Sequence, residues 1–244
     1  MRRTINKLLR GIGYELSKTS GNTATGIKGP FLKYIKDRQP QPFRLCLDVG
    51  ANVGHFADEY LAEFSDSDIH CFEPTPQALE TLRQKAAKNS HITVNPKAVG
   101  KTRGTSTFNL NAKSVTNSLL AASSDSAQWA PASYMAKETS LEVEVITLDD
   151  YCAAGNIQHV DLLKIDAQGY DLKVLEGAQR LLQEKRVNWI YVEMLLVPLY
   201  EGQCFFHEIH QFLHPLGYNL QSLFGTVFSP QGRMKWTNGL FAPG

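Results

Sequence analysis

The chain has 244 residues, enough for one large α/β domain or two small ones. At that size folding buries roughly three quarters of the unfolded surface, so neither a disulfide nor a metal staple is required. The 25 Lys and Arg residues nearly cancel the 24 Asp and Glu residues, which argues against a nucleic-acid binder held by bulk charge. Cys46, Cys71, Cys152 and Cys204 are scattered without a C-x-x-C pair, a pattern that suits a reducing, cytoplasmic setting. No apolar run approaches the ~20 residues of a membrane span.

Residues 1–20 carry the one local charge asymmetry. Ile5, Leu8, Leu9, Ile12 and Leu16 recur at helical spacing among Arg2, Arg3, Lys7 and Arg10. The segment lacks the apolar core of a signal peptide. It is expected to pack its stripe on the domain, or to touch the inner membrane surface peripherally as a basic amphipathic helix. Residues 21–30 read as a Gly- and Thr-rich loop. The expected division is therefore 1–30, helix and loop, and 31–244, a catalytic domain.

From residue 43 onward short apolar runs alternate with amphipathic ones, as in βα units. Strands are expected at 43–47, 69–72 and 92–94, with helices at 54–64 and 76–88. Thr75 precedes Pro76 as the N-cap of the second helix. Residues 101–138 break the rhythm with Ser, Thr, Asn and Ala. A strand at 104–110 is expected inside them, and the rest is either a binding lid or a plain surface insertion.

Further strands are expected at 141–146, 161–165 and 187–192, the second almost wholly apolar and so central. Helices are expected at 171–182 and 205–213. Two aromatic-rich strands, 218–228 and 236–241, enclose a Pro-Gln-Gly turn and predict an antiparallel hairpin. The fold class is α/β, a single doubly wound and mostly parallel sheet closed by that hairpin.

In such sheets a ligand lies beyond the carboxyl ends of the strands, beside the first one. There the chain reads D-V-G-A-N-V-G, residues 48–54. Gly50 permits the turn and Gly54 lets the next helix approach. A dinucleotide site needs G-x-G-x-x-G, so that a pyrophosphate can meet bare backbone and a helix N-terminus. This turn lacks the middle glycine and adds Asp48, which would repel a phosphate and attract an ammonium. S-adenosylmethionine has an ammonium, a sulfonium and no phosphate, so the turn favours it over NAD. Glu73, ending the next strand, is placed to accept from ribose hydroxyls, and Pro74 offers adenine an apolar edge.

Two more carboxylates end the strands that follow: Asp166 in K-I-D-A-Q-G-Y-D and Glu193 in Y-V-E-M. Either can take a proton from an alcohol acceptor, or Asp166 can cap the next helix and Glu193 can orient substrate. Lys164 shares a face with Asp166 and is available for an ion pair. His207 and His210 lie on one helix, where a solvated or core role is expected, since no third metal ligand accompanies them.

Taken together, D-V-G-A-N-V-G, F-E-P-T-P, T-L-D-D-Y, L-K-I-D-A-Q-G-Y-D-L-K-V-L-E-G-A and Y-V-E-M resemble, in order, the FkbM family of S-adenosylmethionine-dependent methyltransferases. The resemblance spans about residues 43–194 and, more weakly, the hairpin. It implies a Rossmann-like fold and O-methylation of a hydroxyl on a glycan or secondary metabolite. It implies cofactor binding by Asp48, Gly50, Asn52, Gly54 and Glu73, and an active-site pair of Asp166 and Glu193. Where many members have I-D-V-E-G, this chain has Gln168, from which a metal-independent enzyme is expected. A nicotinamide-dependent oxidoreductase and a catalytically silent cofactor-binding module are the alternative readings. The acceptor and the oligomeric state follow from nothing in the sequence.

Overall fold

The computed structural model of the chain describes residues 31–39 and 41–244; the expected helix of residues 1–20 lies outside them. The strands are β1 (Leu45–Val49), β2 (Asp68–Phe72), β3 (Ile92–Asn95), β4 (Ala98–Val99), β5 (Gly104–Asn111), β6 (Lys137–Ile146), β7 (Val160–Ile165), β8 (Val187–Leu195), β9 (Tyr218–Phe228) and β10 (Met234–Pro243). The helices are α1 (Phe31–Lys36), α2 (His55–Glu63), α3 (Pro76–Ala86), α4 (Ala132–Met135), α5 (Leu148–Ala154), α6 (Asp171–Glu176), α7 (Gln179–Gln183) and α8 (Phe206–Leu213).

Seven strands make the main sheet in the order β3-β2-β1-β7-β8-β10-β9. The first five are parallel, and β10 and β9 add antiparallel at the far edge. The chain winds outward from β1 to β3 and returns to β7, so the order reverses between β1 and β7. That reversal opens a crevice above the carboxyl ends of these two strands. All six residues of β7 are buried, because both faces of a central parallel strand are covered. Leu163 and Ile165 join one core with α5 to α8, while Leu162 joins the other with α1 and α2.

The expected single sheet is corrected in one respect. β4, β6 and β5 form a separate three-stranded sheet, so residues 104–110 and 141–146 do not enter the main one. The expected helix over 171–182 is broken into α6 and α7. A Cβ on Gly177 would lie 2.1 Å from the carbonyl oxygen of Gly100, so the break admits the chain that follows β4. T-L-D-D-Y, unassigned by periodicity, opens α5: the Thr147 hydroxyl accepts from the Asp150 N–H at 3.0 Å, a side-chain cap. Among the described residues no helix is long and apolar enough to cross a membrane.

Candidate active site

The turn after β1 is tightly wound. Gly50, Asn52 and Gly54 all have positive φ, at 77°, 47° and 75°. A Cβ on Gly50 would lie 2.0 Å from the Asp166 carbonyl oxygen, so β1 and β7 approach there as only glycine allows. Asn tolerates the left-handed region better than most side chains. The N–H groups of Gly50 and Ala51 both reach the Phe72 carbonyl at 3.1 Å, and that of Gly54 reaches Ala51 at 2.9 Å.

Glu73 fastens the turn to β2. One carboxylate oxygen accepts from the Asn52 N–H at 2.9 Å. The other accepts from the Thr75 N–H at 2.8 Å and the Thr75 hydroxyl at 2.6 Å. Burial raises the Glu73 pKa, against the pull of these hydrogen bonds. A carboxylate has about four acceptor positions, so one remains for a further donor.

Asp48 stands elsewhere than expected. It is 0% exposed, and the ammonium it meets, 2.9 Å from Oδ1, is that of Lys164. The parallel register sets Asp48 opposite Lys164, and Lys164 opposite Tyr191. Side chains in such a row share a face, here beneath α1 and α2. The Lys164 ammonium lies 5.7 Å from the Phe56 ring centroid, and Phe31 stacks on Tyr191 at 3.7 Å. The expectation that Asp48 is open to a ligand is corrected: the sheet buries it as the counter-ion of Lys164. Burial raises the Asp48 pKa and Lys164 opposes that rise. Lys164 also donates to the Gly50 carbonyl at 3.1 Å, so Asp48 governs the turn through Lys164.

One row higher, at the strand ends, stand Asp166 and Glu193. Both bond to one group, the Gln168 amide: its Nε2 donates to Asp166 Oδ1 at 2.6 Å and to Glu193 Oε2 at 3.0 Å. Lys164 is 4.0 Å from Asp166, a looser pairing than with Asp48. Burial and the neighbouring Asp166 and Asp171 carboxylates push the Glu193 pKa well above the ordinary range. Asp166 does not cap the next helix. Asp171, the first residue of α6, instead ties down the loop before that helix, accepting from the N–H groups of Ala167 and Gly169, each at 2.9 Å. It holds Gln168 in a left-handed conformation, φ 51°. Asp171 is fully buried, and burial pushes its pKa up to about 7.

Two participants escaped the sequence. Asn238 of β10 lies directly opposite Glu193 in the antiparallel register, and only the pairing of distant strands reveals it. Tyr200 donates to the Gln168 side-chain carbonyl at 2.8 Å and to the Thr116 carbonyl at 3.1 Å. The excursion after β5 is thereby tied to the site. The buried Ser118 hydroxyl donates to the Gln168 backbone carbonyl at 2.8 Å, and Ala122 bridges Tyr200 in an antiparallel pair. Trp129, Ala130 and Leu120 pack on Leu195, Val197 and Tyr200. The segment is therefore packed against the strand-end carboxylates' neighbours rather than standing apart as a surface insertion. His207 and His210 complete no group of three His, Cys, Asp or Glu able to hold a metal among the described residues.

The donor set suits one kind of nucleoside ligand. The N–H groups of Gly50, Ala51, Asn52 and Gly54 are engaged within the protein, so these four are not free to meet a pyrophosphate. The nearby carboxylates suit hydroxyls and an ammonium instead.

Comparison with known proteins agrees. The Methyltransferase FkbM domain family matches residues 48–220. A 2-O-methyltransferase, NoeI, of Sinorhizobium fredii is 25% identical over 80% of this chain and 84% of its own length. The hexuronic acid methyltransferase AglP of Haloferax volcanii is 25% identical over 60% of this chain and 54% of its own. Methyltransferase 1 of Beauveria bassiana is 24% identical over 70% and 71%.

Proposed function

The chain belongs to the FkbM methyltransferase family and is an S-adenosylmethionine-dependent methyltransferase, and from that membership we propose that it methylates a hydroxyl of a glycan or small metabolite. The observation that carries this reading is the pair of strand-end carboxylates, Asp166 and Glu193, joined by one amide beside the cofactor turn. The hydroxyl and hexuronate chemistry in the names of NoeI and AglP supports the same class of acceptor.

When bound, the cofactor supplies a methyl group already activated on sulfur. The protein's part is to align the acceptor oxygen and to receive its proton. In this proposal Glu73 holds the ribose with its remaining acceptor position, and the turn from Gly50 to Gly54 and Pro74 bound the nucleoside. Asp48 acts through Lys164, which holds the Gly50 carbonyl and thereby the turn. Glu193 takes the hydroxyl proton: a carboxylate whose pKa is raised above the ordinary range is a stronger base than an ordinary one. Asp166 and Asn238 flank it and orient the hydroxyl. Gln168 keeps the two carboxylates together without a cation. At most a peripheral membrane contact is proposed, through residues 1–20, and any co-sedimentation with anionic liposomes is expected to be lost when they are deleted.

The test is calorimetry with S-adenosylhomocysteine and with NAD, followed by transfer of a labelled methyl to candidate glycans. S-adenosylhomocysteine is expected to bind and NAD not. Glu193→Gln is expected to keep that affinity while lowering turnover about 10²- to 10³-fold. Tight NAD binding without response to S-adenosylhomocysteine would sink the reading. A Glu193→Gln enzyme with undiminished turnover would remove Glu193 from the role of base.

A further inference from the structure

Tyr200, bonded to the Gln168 amide that the carboxylate pair shares, belongs to an apolar cluster whose edge carries charge of the opposite sign. Trp129, from the excursion, and Trp236, from β10, both pack on the apolar cluster of Leu195, Val197 and Tyr200. Trp236 shares its strand face with Asn238, two residues along, and so stands just outside the Glu193 row. Each indole has a cation beside it. The Arg233 guanidinium lies 4.5 Å from the Trp129 ring centroid, and the Lys235 ammonium 4.4 Å from that of Trp236.

These groups are donors in want of acceptors. Lys235 is 8% exposed, and the only hydrogen bond of its ammonium among the described residues goes to the Trp129 carbonyl at 3.1 Å. Neither Lys235 nor Arg233 has a carboxylate within ion-pair distance among the described residues. The Trp129 indole nitrogen is buried with no hydrogen-bond partner there. Burial with no neighbouring counter-charge lowers the Lys235 pKa. Covering a cation with one neutral acceptor is costly, and an anionic ligand relieves that cost. Flat aromatic surface beside the same donors suits the C–H face of a sugar ring as well as the edge of an acidic substituent.

We propose that Trp129, Arg233, Lys235 and Trp236 form an acceptor subsite for an acidic glycan, with the two cations holding a carboxylate, sulfate or phosphate substituent while the neighbouring sugar hydroxyl faces Glu193. The inference deepens the transferase reading above and rests on it for where the acceptor sits. The excursion and the hairpin build this rim jointly, since neither alone brings both indoles and both cations together. Binding by such a rim should weaken as salt rises, since Arg233 is exposed.

The test is an array of glycans with matched backbones in neutral, uronate, sulfated and phosphorylated forms, probed with the labelled full-length chain in the presence of S-adenosylhomocysteine. Wild type is expected to bind at least one acidic form about tenfold more tightly than its neutral parent, a difference of about 1.4 kcal/mol. The acidic form that responds identifies the substituent. Arg233→Gln, on the exposed turn, is expected to reduce the preference, and Arg233→Gln with Lys235→Met to bring it within about twofold of neutral. Calorimetry with S-adenosylhomocysteine serves as the control for folding, and its affinity is expected to be unchanged in both variants. Equal binding of neutral and acidic forms, no acidic form bound, or an undiminished preference in the double variant would each overturn the proposal. An acidic preference in a protein that ignores S-adenosylhomocysteine would uphold the subsite and refute the transferase reading.

Discussion

The two halves of the crevice are built by different means. The half proposed to hold the cofactor is a short stretch of chain, residues 48–75, that bonds largely to itself. Backbone bonds run from the turn to Phe72, and Glu73 ties Asn52 to Thr75. The acceptor half is an assembly of segments far apart in sequence. Thr116 and Ser118 from the excursion, Gln168 from the β7 end, Tyr200 from the loop after β8 and Asn238 from β10 meet only in the folded chain. A ligand used unchanged can be met by a fixed local motif. An acceptor that differs from enzyme to enzyme is met by loops, which can change without disturbing the sheet.

That contrast can be attacked from either side. The largest effect is expected from Gly50→Ala, where a Cβ would run into the Asp166 carbonyl at 2.0 Å from a backbone at φ 77°. The close approach of β1 and β7 has no side chain able to yield. Calorimetry is expected to find S-adenosylhomocysteine affinity reduced by more than about 100-fold. Unchanged affinity would show the turn to be less rigid than its contacts imply.

Next comes Lys164→Met, which leaves the Asp48 carboxylate buried without its counter-ion. Removing one partner of a buried pair costs about 3–5 kcal/mol, to be read from urea denaturation. Asp48→Asn combined with Lys164→Met is expected to recover at least half of the loss. If the double variant is no more stable than the single one, the ion pair is not what Asp48 is for, and a direct role toward the cofactor returns.

The smallest effect tests the acceptor half alone. Gln168→Glu puts a third carboxylate where an amide now donates to Asp166 and Glu193. Like charge raises the pKa of Glu193 further, and a base is lost as pH falls through its pKa. The acidic limb of the pH–turnover profile should therefore move to higher pH, with the loss of activity greatest on the acid side. S-adenosylhomocysteine affinity is expected to hold. A profile shifted to lower pH, or one not shifted, would remove Gln168 as the group that sets the proton affinity of the pair.

The main sheet, the hairpin at its edge and the glycine-bearing turn after β1 were all legible in the order of the residues. These are short-range features. Alternation, helical periodicity and a glycine-bearing turn between strand and helix are written in neighbouring residues. Asp48 shows where that legibility ends. Its residue type suggested an exposed acid awaiting an ammonium, and only the placement of β7 beside β1 put Lys164 against it. The same holds for Asp171, which secures the loop between β7 and α6, and for Asn238, whose position depends on β10 pairing with β8. The break between α6 and α7 lies where the chain after β4 passes Gly177, and the small sheet is set by the pairing of β6 with β4 and β5. Local pattern sets how a segment is shaped. Whether a carboxylate faces water, a lysine or a substrate depends on which distant strand lies beside it, and that neighbour is known only once the chain has folded.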